Sequence, residues 1–250
     1  EKGAARAATP ADALAASELV VISQTDYKAM YDSLGSATGA LKGRVLVNLS
    51  SGSPEELRKA GTWAAEHGAE LITGGIMVPP PGIGQPGAYT FYSGSKPTLE
   101  RHRGALEALG EIAYVGDDLG RSMLYYQSQL FIFWSTLTSY MASAALLGTA
   151  GVSPEEFRPY ATQTLLDLAD EGPMGFVKIL TAEMEAGRYP GDENSLHMQA
   201  VGMRHVVDTF REAGLATDYP DALRALFDHA VDVGHGAEGI SSVFEVFRKS

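Results

Sequence analysis

The sequence predicts an α/β fold in its first half and an all-helical fold in its second half. Up to Gly116, short apolar runs typical of strands alternate with amphipathic helical patterns, and after Gly116 only helical patterns follow. Near-continuous apolar strands between helices indicate a sheet that is largely parallel and covered on both faces. We therefore expect residues 1–116 to form an α/β domain and residues 117–250 to form a helical domain.

The elements of the first half follow one another in alternating order. Thr9, Pro10 and Asp12 signal the start of a short helix, and Ser53 with Glu56 forms a capping box at the start of a longer one. The predicted strand segments are ELVVIS, RVLVNLSSG, AELITGGIMV, AYTFYSG and EIAYVG. The predicted helices are DYKAMYDSL, SPEELRKAGTWAAEHG and KPTLERHRGALEALG, and the proline-rich PPPGIGQPG is expected to be a loop.

The second half opens with a long apolar segment. Residues 122–147 contain no Gly, Pro or charged residue, so they can form a single helix of about 39 Å, which is also long enough to span a bilayer. Several Ser, Thr and Gln residues dilute its apolarity, and the acidic flank at Asp117 and Asp118 is unlike a membrane anchor. We expect a helix buried on nearly all sides within protein. Further helices are predicted at Ser153–Glu171, Met174–Glu185, Ser195–Ala213, Pro220–Val233 and Gly239–Arg248.

Composition excludes several classes of function. The net charge of -12 argues against binding to nucleic acid or to an anionic membrane surface, because such surfaces are built from clustered Lys and Arg. The chain has no cysteine, which excludes disulfides, thiolate nucleophiles and Cys-ligated metals. The six histidines are scattered without metal-ligand spacing, so we expect no metal site. Residues 1–17 lack the pattern of a secretory signal, and we expect a cytoplasmic location.

Three short segments lie where predicted strands end, and ligands of open α/β sheets bind at the carboxyl ends of strands. They are residues 23–26, residues 48–52 and residues 78–84. Ordinary strand-to-helix turns would have the same composition, and the G-x-G-x-x-G fingerprint of dinucleotide binding is missing, since GIGQPG contains Pro86 and leads into a strand. The cofactor-binding candidates are Ser23, Gln24, Thr25, Asn48, Ser50 and Ser51.

Four segments resemble those of the NADPH-dependent imine reductases, which belong to the wider superfamily of β-hydroxyacid and 6-phosphogluconate dehydrogenases. They are VNLSSG, GIMVPPPGIG, the long stretch VGDDLGRSMLYYQSQLFIFWSTLTSYMASAALLGTAGVSPEEF and the closing DALRALFDHAVDVGHG. The resemblance implies a Rossmann-type NADPH-binding domain joined by a long interdomain helix to an all-α dimerisation domain. It also implies domain-swapped homodimers with shared active sites, and reduction of cyclic imines to amines. The family's first strand and glycine-rich turn would precede Glu1, so the choice between NADPH and NADH cannot be read from these residues.

The resemblance also singles out one tyrosine. The superfamily's hydroxyacid dehydrogenases carry a glycine, a catalytic lysine six positions later and an asparagine three positions after that. Counted from Gly120, these positions hold Tyr126 and Gln129. A lysine would repel a cationic iminium by about 4 kcal/mol at about 4 Å and an effective dielectric of about 20, whereas a neutral phenol can donate a proton or a hydrogen bond. We expect Tyr126 to be the proton donor or substrate orienter; read without the resemblance, it is an ordinary core tyrosine.

The remaining candidates line the predicted substrate pocket. Gln129 and Phe133 share a helical face with Tyr126, and Pro79 and Pro80 belong to the loop after the third strand. The adjacent Tyr125 and the more distant Trp134 lie off that face, and we assign both to packing.

Two alternative functions remain open at the level of sequence. A β-hydroxyacid dehydrogenase would have the same fold, although a tyrosine in place of lysine argues against alcohol oxidation. A non-catalytic helical dimerisation protein with a degenerate nucleotide domain would explain the missing glycine turn.

Overall fold

A computed structural model describes residues 3–248. The chain forms two compact units, one ending at Ser135 and the other beginning at Thr136. This division lies inside the long helix, and the last strand ends earlier, at Tyr114.

The first unit is built on a five-stranded sheet with the order β1-β2-β3-β4-β5. The strands are β1 (Leu19–Ile22), β2 (Val45–Asn48), β3 (Glu70–Ile76), β4 (Tyr89–Gly94) and β5 (Glu111–Tyr114). Neighbouring strands are parallel except β3 and β4, which are antiparallel. A loop joins β3 to β4 where the other connections contain helices, and a connection without a crossover helix favours antiparallel pairing. The predicted, largely parallel sheet is confirmed.

The helices of this unit agree with the sequence patterns except in one place. They are α1 (Pro10–Ala15), α2 (Tyr27–Leu34), α3 (Pro54–Glu66), α4 (Lys96–Arg101) and α5 (Arg103–Leu106). The capping box of Ser53 and Glu56 is present. The single helix predicted for KPTLERHRGALEALG was wrong, because the backbone leaves helical geometry at His102 (φ -109°, ψ 10°). The largely buried imidazole of His102 lies 3.7 Å from the carboxylate of Glu18, the residue that precedes β1.

Both faces of the sheet are covered, as the apolar strands predict. Successive residues of β2 point to opposite faces, so that Leu46 belongs to one core and Val45 and Val47 belong to the other. The first core contains residues of α2 and α3 together with Met123, and the second contains residues of α4 and α5. The long helix therefore begins on the face that carries the first core.

The second unit is helical throughout its described residues. Its helices are α7 (Pro154–Leu168), α8 (Phe176–Ala186), α9 (Leu196–Glu212), α10 (Asp218–Ala230) and α11 (Val243–Phe247). A turn of π-helix, Val231–His235, extends α10. Leu196, Ala230 and Val243 form a small buried core among α9, α10 and α11.

The long helix α6 (Arg121–Gly148) agrees with the predicted bounds to within one residue at each end. Within the single chain its predicted burial is wrong, because only Ser122 and Met123 are buried among its described residues. Phe131 is 71% exposed and Trp134 is 60% exposed, so the packing role assigned to Trp134 was also wrong within this chain. An apolar composition indicates that a helix is covered, but it does not indicate which molecule covers it.

The same helix meets the length and composition expected of a bilayer span. Its mean hydropathy reaches 1.5 over the most apolar stretch, and none of that stretch is buried.

Candidate active site

Tyr126 lies in the second turn of α6 and packs against the first core of the sheet. Its ring faces Gly75 of β3, and the side chain is half-buried. Within residues 3–248 its hydroxyl makes no hydrogen bond. The hydroxyl of this half-buried side chain therefore remains available for a hydrogen bond from outside the described chain.

A cluster of buried hydroxyls fixes the start of α6 on the sheet. Thr73 of β3 donates to the carbonyl of Leu119 at 2.7 Å and lies 2.9 Å from the hydroxyls of both Ser93 and Ser122. Ser93 of β4 accepts from the backbone N–H of Ser122 at 3.0 Å. Thr73, Ser93 and Ser122 are fully buried. This hydroxyl cluster therefore holds the first turn of α6 at a defined position, one turn before Tyr126.

An ion pair holds the turn that precedes α6. Arg58 of α3 makes two hydrogen bonds of 2.8 Å to the Asp118 carboxylate. The same carboxylate accepts from the backbone N–H of Gly120 at 3.1 Å. These bonds lower the pKa of Asp118 to about 2, with Arg58 as the main cause. The residue pattern that singled out Gly120 gave no sign of this ion pair.

Gln127 links α6 to the loop that follows β2. Its side-chain amide donates to the carbonyl of Gly52 at 2.9 Å, and Gly52 follows the cofactor candidate Ser51. The loop and the first turns of α6 are therefore joined next to Tyr126. Sequence reasoning missed Gln127, because an amide side chain in an apolar helix resembles a solvent-facing residue.

Two of the predicted cofactor residues support the loops from within. Asn48 and Ser50 are both buried. The side-chain carbonyl of Asn48 accepts from the backbone N–H of Ser50 at 2.8 Å, and the Ser50 hydroxyl accepts from the backbone N–H of Gln24 at 3.1 Å. The Ser50 side chain therefore connects the end of β2 to the end of β1, and the Asn48 side chain supports the turn that carries Ser50.

The other cofactor candidates are exposed at the carboxyl ends of the same strands. Ser23, Thr25 and Ser51 face solvent, whereas the side chain of Gln24, also exposed, is hydrogen-bonded to Ser33 of α2. These three exposed hydroxyl residues lie along one edge of the sheet, since β1 and β2 are parallel and in register there.

The predicted pocket residues are exposed within this chain. Gln129 and Phe133 follow Tyr126 along α6, and Pro79 and Pro80 lie in the loop after β3. Tyr125 contacts the Phe91 ring at a centroid distance of 5.2 Å, which agrees with its assignment to packing although the side chain is 44% exposed.

The second unit contains a cavity of about 660 Å³. Its lining combines apolar residues of α7 and α8 with acidic and amide groups before and within α9.

His235 ends the π-helical turn and lies 2.6 Å from the Glu238 carboxylate. Within the described part of the chain, no three side chains are grouped as a metal site would require.

A sequence-family profile described as "NADPH-dependent reductive aminase-like, C-terminal domain" matches residues 118–249. An imine reductase from Streptomyces aurantiacus superposes with a TM-score of 0.93 at 40% identity, over 99% of this chain and 85% of that one. The chain belongs to the imine reductase and reductive aminase family. The family expected from the sequence is thereby confirmed.

Two further relatives carry the cofactor in their names. An NADPH-dependent reductive aminase from Aspergillus oryzae is 28% identical over 99% of this chain and 84% of its own length. A reductive aminase from Aspergillus terreus, solved with NADPH and ethyl levulinate, is 31% identical with a TM-score of 0.89, over 96% of this chain and 83% of that one.

The hydroxyl cluster predicts a large difference between two similar substitutions. Thr73→Val removes a buried, fully engaged hydroxyl, and we expect it to lower the free energy of unfolding by about 1–3 kcal/mol. Thr90→Val is the matched control, because Thr90 is equally buried on β4 but its hydroxyl has no partner within hydrogen-bond geometry among residues 3–248. That variant is expected to be neutral or stabilising. Urea denaturation measures both, and equal losses would contradict a structural role for the cluster.

The ion pair of Arg58 and Asp118 makes stability depend on pH in the acid range. The pKa of Asp118 is lowered from 3.8 to about 2 in the folded chain. Asp118 therefore stabilises the fold above a pH of about 4, and this contribution is lost as the pH falls through about 2. Both side chains are partly exposed, so the effect is small. We expect Asp118→Asn to reduce the change in the urea midpoint between about pH 2 and about pH 4. If the midpoint depends on pH in the same way in the variant and in the wild type, the ion pair does not contribute as proposed.

Proposed function

We propose that the protein reduces C=N bonds of cyclic imines or iminium ions to amines with hydride from NADPH, and that Tyr126 donates the proton or orients the substrate. The observation that carries the role of Tyr126 is its position: a half-buried phenol without a hydrogen-bond partner in residues 3–248, on a helix turn fixed to the sheet. We further propose a cytoplasmic location, in keeping with a chain that has no cysteine.

The charge of the substrate explains why a phenol is suited to this position. An iminium carbon is electron-poor before reduction, and a cationic side chain beside it would raise the energy of the bound state. A neutral hydroxyl can hydrogen-bond to the nitrogen without that repulsion. Tyr126 would therefore hold the C=N group in place and supply a proton when the substrate nitrogen needs one.

The carboxyl ends of β1 and β2 suit a nucleotide. Ser23, Thr25 and Ser51 present hydroxyls along one edge of the sheet, and the buried Asn48 and Ser50 keep the two loops together. NADPH, when bound, supplies the hydride. The residues of this chain would hold it by hydrogen bonds from these loops, while Gln127 keeps the loop at Gly52 next to the helix that carries Tyr126.

We also propose a homodimer in which each active site draws on both copies. The exposed side chains of α6 form an apolar surface far larger than the scattered apolar residues of a monomer surface. They include Leu124, Phe131, Ile132, Phe133, Trp134, Leu137 and Met141. Exposed apolar residues also lie on α7 and α8, among them Tyr160, Leu166 and Val177. A second copy offers these same surfaces, which suits the self-complementary contact of a twofold dimer.

In this arrangement the helical unit of one copy would close over the nucleotide-binding unit of the other. Gln129, Phe133, Pro79 and Pro80 would then line the substrate pocket, although they are exposed in a single chain. Exclusion of water by the second copy would strengthen the hydrogen bond from Tyr126 to the substrate.

The proposed role of Tyr126 predicts a specific kinetic defect. Tyr126→Phe removes only the hydroxyl, so we expect turnover of a cyclic imine to fall by about 100-fold or more, as for loss of a general acid. The Kd for NADPH, measured by fluorescence titration, should stay unchanged. Tyr125→Phe is the matched control, because this neighbouring phenol packs against Phe91, and it should retain turnover. Wild-type turnover in Tyr126→Phe would remove Tyr126 from the mechanism.

The proposed dimer predicts that charge on the exposed face of α6 separates the copies. Phe131→Asp places a carboxylate on the most exposed large apolar residue of this helix, and we expect a monomer by light scattering together with loss of imine reduction. Ala225→Asp adds the same charge at an exposed position of α10 and should leave a dimer. A wild-type protein that is monomeric at micromolar concentration, or a fully active Phe131→Asp monomer, would refute the shared site.

A further inference from the structure

Gly75 is a glycine that the backbone does not require. It is buried in β3, and its φ angle does not lie among the positive values found at other glycines of the chain. Any L-amino acid can adopt the conformation of a regular strand, and glycine weakens strands because it lacks a side chain to pack. The reason for a glycine at this position must therefore be the space around it.

That space is occupied by Tyr126. A methyl group on Gly75 would lie 2.7 Å from the Cβ atom of Tyr126 and 2.8 Å from its Cγ and Cδ2 atoms, whereas ordinary contacts begin at 3.4 Å. These atoms form the root of the tyrosine side chain, so rotation about χ1 cannot remove the clash with Cβ. Relief requires a shift of the helix backbone or of the strand by several tenths of an ångström.

The surrounding contacts resist such a shift. The hydroxyl cluster fixes the first turn of α6 to β3 and β4, and the bond from Gln127 to Gly52 holds the next turn. A residue larger than glycine at position 75 would therefore displace the ring of Tyr126 relative to the rest of the site. Misplacement of a catalytic group by about 1 Å can cost about 100-fold in rate.

We propose that Gly75 is a positioning residue for imine reduction: by having no side chain, it lets the ring of Tyr126 lie directly on β3 and so sets the position of the phenol hydroxyl. This inference rests on the proposed role of Tyr126. It assigns a function to one member of the Gly74–Gly75 pair only. Gly74 faces the opposite side of the sheet, where a methyl group would meet Leu49, Phe91 and Tyr92 instead.

The test is a double-mutant cycle in the full-length protein with a cyclic imine and NADPH. Gly75→Ala should lower kcat by about 10- to 100-fold, with little change in the KM for NADPH. In the Tyr126→Phe background the same substitution should lower kcat by less than about threefold, because the group it displaces no longer acts. If Gly75→Ala acted only by distorting the cleft, it would lower kcat by the same factor in the wild type and in Tyr126→Phe.

Two glycines provide matched controls. Gly74→Ala introduces the same methyl group on the same strand but toward the other core, so it should lower the melting temperature while the folded protein keeps its kcat. Gly104→Ala adds a methyl group where no atom outside its chain neighbours and its own helix backbone lies within 4 Å; it should leave kcat unchanged and should not lower the melting temperature, because alanine is favoured over glycine in a helix.

The outcomes separate the two proposals. If Tyr126→Phe alone leaves turnover unchanged, the proposed function of Tyr126 fails. If Tyr126→Phe is impaired but Gly75→Ala keeps kcat within about twofold, or loses the same factor in both backgrounds, the role of Gly75 is overturned.

A stability cycle covers the case in which Gly75→Ala does not fold. Tyr126→Gly removes all three atoms that meet the added methyl group. The double variant Gly75→Ala/Tyr126→Gly should then be as stable as Tyr126→Gly alone, by urea denaturation. A double variant that remains unfolded while Tyr126→Gly folds would show that position 75 does not act through Tyr126.

Discussion

The attachment of α6 to the sheet is the constraint on which the proposed chemistry depends. Three hydroxyls from separate elements, Thr73, Ser93 and Ser122, are removed from water together and satisfy one another and the carbonyl of Leu119. Buried polar groups stabilise a structure only when their hydrogen bonds are complete. The cluster therefore specifies one position for the start of the helix, whereas an apolar contact would tolerate sliding.

The other contacts around Tyr126 act from different directions on the same two turns. The ion pair of Arg58 and Asp118 holds the turn before the helix, and Gln127 binds the loop at Gly52. Preorganisation of this kind lowers the cost of placing a catalytic group when the substrate arrives. The phenol hydroxyl itself is left without a hydrogen-bond partner in the described chain, which agrees with the proposed role of Tyr126.

Much of this architecture could be predicted from local patterns. Apolar runs located all five strands, the capping box located the start of α3, and the absence of Gly, Pro and charge gave the bounds of α6. These features depend on residues close in sequence. The expected role of Tyr126 came from the family resemblance; hydrophobic periodicity alone would have assigned this residue to the core.

The features that could not be predicted depend on residues far apart in the chain. Thr73 is 49 positions from Ser122, and Arg58 is 60 positions from Asp118; each of them, taken alone, resembles an ordinary strand, helix or surface residue. The burial of the Asn48 and Ser50 side chains and their hydrogen bonds to the backbone could not be predicted for the same reason. The exposure of α6 was not predicted, because an apolar composition indicates that a helix is buried but not whether the same chain or another chain buries it.

The uncovered apolar side chains of α6 link the folding of this protein to its abundance. In the proposed dimer, association with a second copy would stabilise the native state by mass action, so dilution would lower the apparent melting temperature even when every intramolecular bond is intact. During synthesis, the same helix would stay exposed until two finished chains meet, and slow encounter would leave time for aggregation. Yield in a host cell should thus rise and fall with expression level and chaperone supply, independently of catalysis.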